Sequence, residues 1–347
     1  MNKGKIKRIA KVFLQCLKAK LLKKRIPVKV LLQITGRCNM RCSYCYAPFD
    51  KYKDMQDPST EQLKKLIEIL YSNGMRWLWI VGGEPLLRKD LEHIVDFSIS
   101  KGIYTELSTN ASLITEKHIP LLKKLDGLII SFDGSEEAHD AARDKKVFEY
   151  VKKIIKILVL NGIKPRLHAI LSKKTFNSLE RLSDFSLNHG LLFNYCEILK
   201  EKEDKNNLSW TEHCNFYDRY LEIKRKRNLS ANSKFAIKLL RNWPLKEKQI
   251  MHKEESYQFS QKRDYYKCRC GDLQCFVDID GGVYSCSARW FKGKNIFKDG
   301  FAAAWDYLKN RECVACRCLG MTEASLLLNL SLKWFFQALT NTIRIIR

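Results

Sequence analysis

The stretch Gly36-Arg37-Cys38-Asn39-Met40-Arg41-Cys42-Ser43-Tyr44-Cys45 decides how this chain is read. Its C-x3-C-x2-C spacing offers three thiolates where a metal cluster ordinarily takes four. Thiolates are soft ligands suited to iron–sulfur clusters or zinc, and a structural site is closed by a fourth ligand. A cubane held by three cysteines leaves one iron open to a small molecule. A zinc knuckle would need a second Cys or His pair close by, and residues 46–92 contain neither. Disulfide frameworks belong to small secreted chains, whereas this one has 347 residues.

Outward from that loop the pattern is repetitive. Apolar runs at 28–34, 77–81, 104–108, 128–132, 166–171 and 193–198 read as buried parallel strands. Helical patterns fall between them, near 60–73, 89–101, 115–124, 148–161 and 177–189. Ser59-Thr60-Glu61-Gln62 has the form of a capping box. The rhythm predicts an α/β fold, a partial TIM-like (β/α)6 barrel over residues 28–200, with chemistry at the strands' C-terminal ends. The three-cysteine loop follows the first strand, where such a site belongs. Residues 201–262 read as a charged helical connector and 263–320 as a small cysteine-rich domain. Residues 1–27 and 321–347 read as amphipathic ends.

A chain of this length can bury one large core and a smaller one, and its mean hydropathy of −0.33 is ordinary for a globular protein. Thirteen cysteines without a secretory h-region predict a reducing cytoplasm. The net charge of +25 is unevenly placed: no acid precedes Asp50, and none occurs from Ala324 to Arg347. Such asymmetry suits an anionic membrane surface or nucleic acid. Within residues 5–24, Ile6, Ile9, Phe13, Leu17 and Leu21 share one helical face, with Lys7, Lys11 and Lys18 elsewhere and Pro27 beyond. That helix either lies on anionic lipid or packs on the barrel. Near the other end, Leu326, Leu327, Leu328, Leu330, Leu332, Trp334, Phe335 and Phe336 are interrupted by Asn329, Lys333 and Gln337. The tail therefore reads as interfacial rather than spanning, with burial in a dimer or on the barrel as the alternative. The predicted location is the cytoplasm, with peripheral contact at the inner face of the membrane.

The three-cysteine spacing, with Tyr44 before its last cysteine, resembles the radical S-adenosylmethionine (SAM) enzymes. Val81-Gly82-Gly83-Glu84-Pro85 at the end of the second strand resembles their G-G-E-P motif. Leu107-Ser108-Thr109-Asn110 and Ser131-Phe132-Asp133-Gly134 close the third and fourth strands, and His139-Asp140 with Arg143 follows. The resemblance implies a [4Fe–4S] cluster on Cys38, Cys42 and Cys45, its open iron chelating SAM. One electron would split SAM into methionine and a 5′-deoxyadenosyl radical, which abstracts hydrogen from an unactivated carbon. It also implies roles for individual residues. Tyr44 would sit near the adenine, and Gly82, Gly83, Glu84 and Pro85 at the amino group. Ser108, Thr109, Asn110, Ser131 and Asp133 would line the pocket, and Arg143 would grip the carboxylate. Bland readings stand beside these: turns, caps, and a surface ion pair for Arg143. His139 and His168 read as structural.

A second cysteine group runs Cys268, Cys270, Cys275, Cys286, Cys313, Cys316 and Cys318. Cys270 to Cys286 fits C-x10-G-x4-C, with a hairpin around Asp278-Ile279-Asp280-Gly281-Gly282. This resembles the SPASM and shorter twitch extensions of radical SAM enzymes. The resemblance implies one auxiliary [4Fe–4S] cluster on Cys270, Cys286, Cys313 and Cys316. Cys268, Cys275 and Cys318 are rival ligands, and a zinc ribbon is the alternative. Cys16, Cys196 and Cys214 show no partner spacing and read as packing residues.

The resemblance further implies a peptide substrate and a low-potential electron donor of ferredoxin or flavodoxin type. The acid-free ends favour instead a membrane lipid or isoprenoid as substrate. Nucleic acid is disfavoured, because no RNA-binding module is present. A non-catalytic iron–sulfur carrier or scaffold is the reading from another class. It predicts closed four-cysteine sites and no SAM pocket.

Overall fold

In the computed structural model the described residues are 3–198, 205–259, 266–288 and 292–331. The expectations for Lys333, Trp334 and the rest of the tail beyond Ser331 lie outside them. Helix α1 (Lys3–Leu21) precedes β1 (Lys29–Gln33), and the short α2 (Phe49–Tyr52) follows the three-cysteine loop. Then come α3 (Thr60–Ser72), β2 (Trp77–Val81), α4 (Leu91–Ser100), β3 (Tyr104–Thr109), α5 (Ile119–Lys124) and β4 (Gly127–Ser131). The barrel continues through α6 (Glu136–Arg143), α7 (Phe148–Leu160), β5 (Arg166–Leu171), α8 (Leu179–His189) and β6 (Phe193–Glu197). Helices α9 (Trp210–Arg227) and α10 (Lys234–Arg241) lead to β7 (Ile250–His252) and α11 (Lys253–Phe259). The last part holds β8 (Gln274–Val277), β9 (Gly282–Tyr284), β10 (Lys294–Asn295), α12 (Ile296–Asp299), α13 (Phe301–Tyr307), β11 (Cys313–Cys316) and α14 (Leu319–Leu328).

Strands β1 to β6 lie side by side in chain order and pair in parallel, the six-repeat partial barrel that the rhythm predicts. The capping box forms as read: Gln62 N donates to Ser59 Oγ at 3.2 Å and Ser59 N to Gln62 Oε1 at 2.7 Å. The cysteine-rich segment extends this sheet. β8 pairs in parallel with β1, β9 folds back on β8, and β10 adds the edge. β11 pairs with β7 in a separate small ribbon.

Alternation along the strands separates two environments. Val30, Leu32, Leu78, Ile80, Leu167, Ala169, Phe193 and Tyr195 point outward into one apolar core beneath the helices. Their neighbours point into the lumen, and those on β2, β5 and β6 are half-exposed. A complete eight-stranded barrel fills its lumen with branched apolar side chains. Here the lumen carries polar groups beside an apolar cluster of Leu31, Trp79, Val81, Phe276 and Tyr284. The Trp79 indole donates to Ser108 Oγ at 2.7 Å, and the Trp77 indole to Glu106 Oε2 at 2.9 Å. Lys29 Nζ lies 4.2 Å and 4.5 Å from the centroids of Trp77 and Trp79, and burial pushes its pKa down to about 8 against the pull of Glu106.

Helix α1 crosses the N-terminal end of the barrel. Its Gln15 lies over Gly74 before β2, and its Lys11 over Gly102 before β3. Arg8 clasps Asp126 before β4 through two bonds of 2.8 Å. Steps of three and four residues advance a helix by roughly 4.5–6 Å, close to the ~4.8 Å between strands, so one helix can serve three strand ends. The predicted apolar face is not the one that packs. Cys16 and Ala19, small enough for close approach, meet Val28, Leu273 and Leu328. Ile6, Ile9, Phe13, Leu14, Leu21 and Leu22 remain exposed. No described helix is long and apolar enough to cross a membrane.

Candidate functional site

The loop 34–48 leaves the C-terminal end of β1 and is held by three sets of bonds. Asp57 accepts from Thr35 Oγ1 (2.7 Å), Gly36 N (3.0 Å) and Arg37 Nε (2.7 Å). Gly83 N donates to Thr35 O at 2.9 Å and Glu84 N to Arg37 O at 2.8 Å, so the Gly-Gly-Glu strip is laced directly to the cysteine loop. A Cβ at Gly83 would sit 2.9 Å from Cys38 Cβ and closer still to the Arg37 carbonyl oxygen, so only glycine allows that approach. Asn39 closes the third set: it donates to Ser112 Oγ and accepts from Asn110 Nδ2, both at 2.9 Å. Asp57, Asn39 and Ser112 carry no motif of their own, and sequence reasoning missed them.

Cys38, Cys42 and Cys45 are partly exposed on this loop. Burial pushes the Cys38 and Cys42 thiols up, and Arg143 opposes it at Cys42. A tetrahedral zinc with bonds of about 2.3 Å needs sulfurs roughly 3.8 Å apart. Among the described residues, the trio of potential ligand atoms gathered within 4.8 Å is Cys196, Glu197 and Cys318, not this loop. Three soft donors, more widely set and lying against bare glycine backbone, fit a cluster with an open corner.

Behind the loop lies a buried network. Asp133 accepts from Tyr44 Oη and Arg143 Nε, both at 3.0 Å, and its second oxygen faces Ile170 N at 3.3 Å. Burial alone would raise the Asp133 pKa, but Arg143 and His139 hold it at about 2. The guanidinium read as a carboxylate clamp is thus engaged with Asp133 and lies over the Tyr44 ring at 5.8 Å. Glu84 also differs from the reading that it accepts an ammonium. Its carboxylate is fully buried and takes bonds from Leu86 N (3.1 Å), Thr109 Oγ1 (2.7 Å) and Asn110 N (2.8 Å). What that turn leaves toward a ligand is glycine backbone. Ser131 is half-buried and pairs in register with His168. His168 Nδ1 lies 2.8 Å from Asn194 Nδ2, and burial pushes its pKa down to about 4.

The second thiol group gathers at the gap between β6 and β8. Cys268, Cys270, Cys286, Cys313, Cys316 and Cys318 lie near enough to shift one another's ionisation. Gln274 Nε2 on the lumen side of β8 donates to Cys270 Sγ at 3.3 Å, and Tyr266 Oη lies 3.2 Å from Cys316 Sγ. Thiols brought together from three segments of chain fit an iron–sulfur cluster. Cys275 is excluded from them, because its side chain faces the apolar core on the other side of β8. Cys196, read as a packing residue, is instead 3.2 Å from Cys318 Sγ. Cys16 does pack, among apolar neighbours under α1.

Comparison with known proteins agrees with this geometry. Residues 32–185 match the model of the radical SAM superfamily. The PqqA peptide cyclase of Bradyrhizobium diazoefficiens is 38% identical over 114 residues, which are 32% of this chain and 30% of that protein. The Fe-coproporphyrin III synthase of Methanosarcina barkeri is 32% identical over 158 residues, 45% of this chain and 40% of that protein. The chain therefore spans less than half the length of these curated relatives. The structure of Streptococcus suis SuiB bound to the precursor peptide SuiA superposes with a TM-score of 0.64 at 17% identity, covering 84% of this chain and 68% of that one. The likeness to SuiB is one of fold.

Proposed function

We propose, from the premise that residues 32–185 form a radical SAM domain, that this protein reductively cleaves SAM and abstracts hydrogen from an unactivated carbon of a peptide. One observation carries the reading: the bonds from Gly83 N to Thr35 O and from Glu84 N to Arg37 O set bare glycine backbone beside three partly exposed thiols. Cys38, Cys42 and Cys45 would hold a [4Fe–4S] cluster, which supplies the electron for cleavage when bound. The chain's own residues position SAM. Gly82 and Gly83 offer backbone to its amino group, and Tyr44 stands toward its adenine. Ser108, Thr109, Asn110 and Ser131 form the adjoining strand ends. Asp133 and Arg143 brace the loop from behind, through Tyr44 and Cys42. Cys270, Cys286, Cys313 and Cys316 would hold one auxiliary cluster at the lumen wall, and a ferredoxin- or flavodoxin-type donor would supply the low-potential electron for SAM cleavage. The segment order proposed from the sequence, barrel to connector to cysteine-rich module, accommodates this arrangement.

The lumen supports a peptide over a lipid. Asn194 Oδ1 on β6 and Gln274 Oε1 on β8 are buried on the lumen side without a hydrogen-bond partner. Such groups are satisfied by amides, not by hydrocarbon. The relatives add weight, since one is a peptide cyclase and the SuiB structure holds a precursor peptide.

We also infer peripheral contact with anionic lipid through α1, whose 19 residues carry several lysines and no acid beside an exposed apolar face. Because α1 covers the end of the barrel opposite the cysteine loop, a membrane there would leave the mouth facing the cytoplasm. That placement disfavours a lipid substrate and a substrate route through α1.

Anaerobic reconstitution with SAM and dithionite tests the chemistry. The expected result is 5′-deoxyadenosine well above a Cys38/Cys42/Cys45→Ala control; equality with that control would leave a non-catalytic carrier. Adding a low-molecular-weight peptide fraction or a total lipid extract from expressing cells tests the substrate class. Peptides should raise 5′-deoxyadenosine formation, and stimulation by lipid alone would overturn that part.

A further inference from the structure

Cys196 belongs to no spaced motif, yet the fold pins its sulfur 3.2 Å from Cys318 Sγ across 122 residues of sequence. Cys196 sits on the lumen side of β6 and is partly accessible, whereas Cys318 is buried at the start of α14. The two elements are locked in register. Leu319 N donates to Glu197 Oε2 at 2.6 Å, and the Tyr217 hydroxyl engages the other carboxylate oxygen. Gly320 approaches so closely that a Cβ there would sit 2.7 Å from Cys196 Sγ. Thr322 Oγ1 holds Cys318 O at 2.9 Å. The auxiliary cluster proposed above uses Cys270, Cys286, Cys313 and Cys316; Cys318 lies beside Cys316 but is not one of the four.

We propose that Cys196 and Cys318 are a redox-active thiol pair, separate from both clusters, that a small oxidised disulfide converts into a covalent tie between β6 and α14. A disulfide bond is about 2.05 Å long, so the sulfurs need to close by roughly 1.2 Å. Cys196, the accessible member, passes its proton to the Cys318 sulfur 3.2 Å away as it attacks the small disulfide, and one small thiolate leaves. Cys318 then displaces the second from the mixed disulfide. Overall the pair loses two protons and two electrons, one S–S bond forms, and the oxidant leaves as two thiols; a dithiol reverses the exchange. The tie fastens α14 across the gap between β6 and β8 and leaves Cys38, Cys42 and Cys45 untouched.

The test uses the reconstituted full chain under nitrogen, treated with oxidised glutathione, alkylated without reduction and digested. The expected product is a linked Cys196–Cys318 peptide pair, about 2 Da lighter than its two peptides and released by dithiothreitol. Cys196→Ser and Cys196→Ala should each abolish it and keep the wild-type iron content. Absence of the linked pair from oxidised wild-type protein would overturn the proposal. So would loss of about four irons per chain in folded Cys196→Ser or Cys318→Ser, which would make that thiol a cluster ligand. Wild-type mapping needs no variant to fold. The radical SAM reading is scored separately by 5′-deoxyadenosine formation.

Discussion

Gly83→Ala is the sharpest probe of the site, because it adds one methyl group and removes no ligand. The new Cβ would lie 2.9 Å from Cys38 Cβ, with the Arg37 carbonyl oxygen nearer still. Carbon atoms rest about 3.5–4.0 Å apart, so the cysteine loop must retreat by roughly 1 Å. That carbonyl is backbone and cannot rotate away, so the bonds from Gly83 N to Thr35 O (2.9 Å) and Glu84 N to Arg37 O (2.8 Å) stretch together. A displacement of about 1 Å at reacting groups costs on the order of 100-fold in rate. Anaerobic 5′-deoxyadenosine formation should therefore fall at least that far, while the far-UV spectrum stays native. Gly162→Ala is the matched control. Gly162 has φ +76 and nothing within 4 Å of its built Cβ, so strain alone acts there. It should cost about 1 kcal/mol of stability and leave SAM cleavage unchanged. A Gly83→Ala protein within threefold of wild-type activity would refute the claim that this contact positions the loop.

Other consequences can be measured directly. Asp133→Ala strands buried Arg143 and should cost about 3–5 kcal/mol in denaturant unfolding. The native pKa of Asp133, about 2, lies below its unfolded value, so its contribution is complete above about pH 4 and is lost as pH falls toward 2. His168, neutral down to about pH 4 in the fold, charges near 6.5 when unfolded; stability should therefore fall from pH 6.5 toward 4, and His168→Asn should flatten that slope. Cys286→Ala should lower iron per chain by about four, whereas Cys275→Ala, in the apolar core, should leave it unchanged. Phe13→Asp with Leu14→Asp should weaken sedimentation with anionic vesicles and spare SAM cleavage; equal binding of wild type to neutral vesicles would remove the electrostatic part.

Local pattern carried the architecture. Six apolar runs became six parallel strands in order, since burial between helices demands such runs. The capping box at Ser59 and the hairpin around Gly281 formed where turn chemistry placed them. The cysteine spacing and Gly-Gly-Glu-Pro were legible because a ligand-holding loop and a close backbone approach each need particular residue types at short range.

Side-chain commitments depended on residues far away in the sequence. Arg143 and Glu84 looked free to meet a ligand, but Asp133, ten residues before Arg143, and Thr109 and Asn110 at the end of the next strand, claim them. The packing face of α1 was decided by Arg8 reaching Asp126 and by the small size of Cys16 and Ala19, which helical periodicity does not weigh. Cys275 and Cys196 exchanged roles for a similar reason: strand pleat turned one into the core and the other toward the lumen and Cys318. Taken alone, the sequence determined the order of elements and the thiols available for metal, because both depend on neighbours along the chain. Which groups stay committed, which face the lumen and which end of the barrel meets α1 was decided by tertiary packing, because those depend on what the closed sheet brings within about 3 Å.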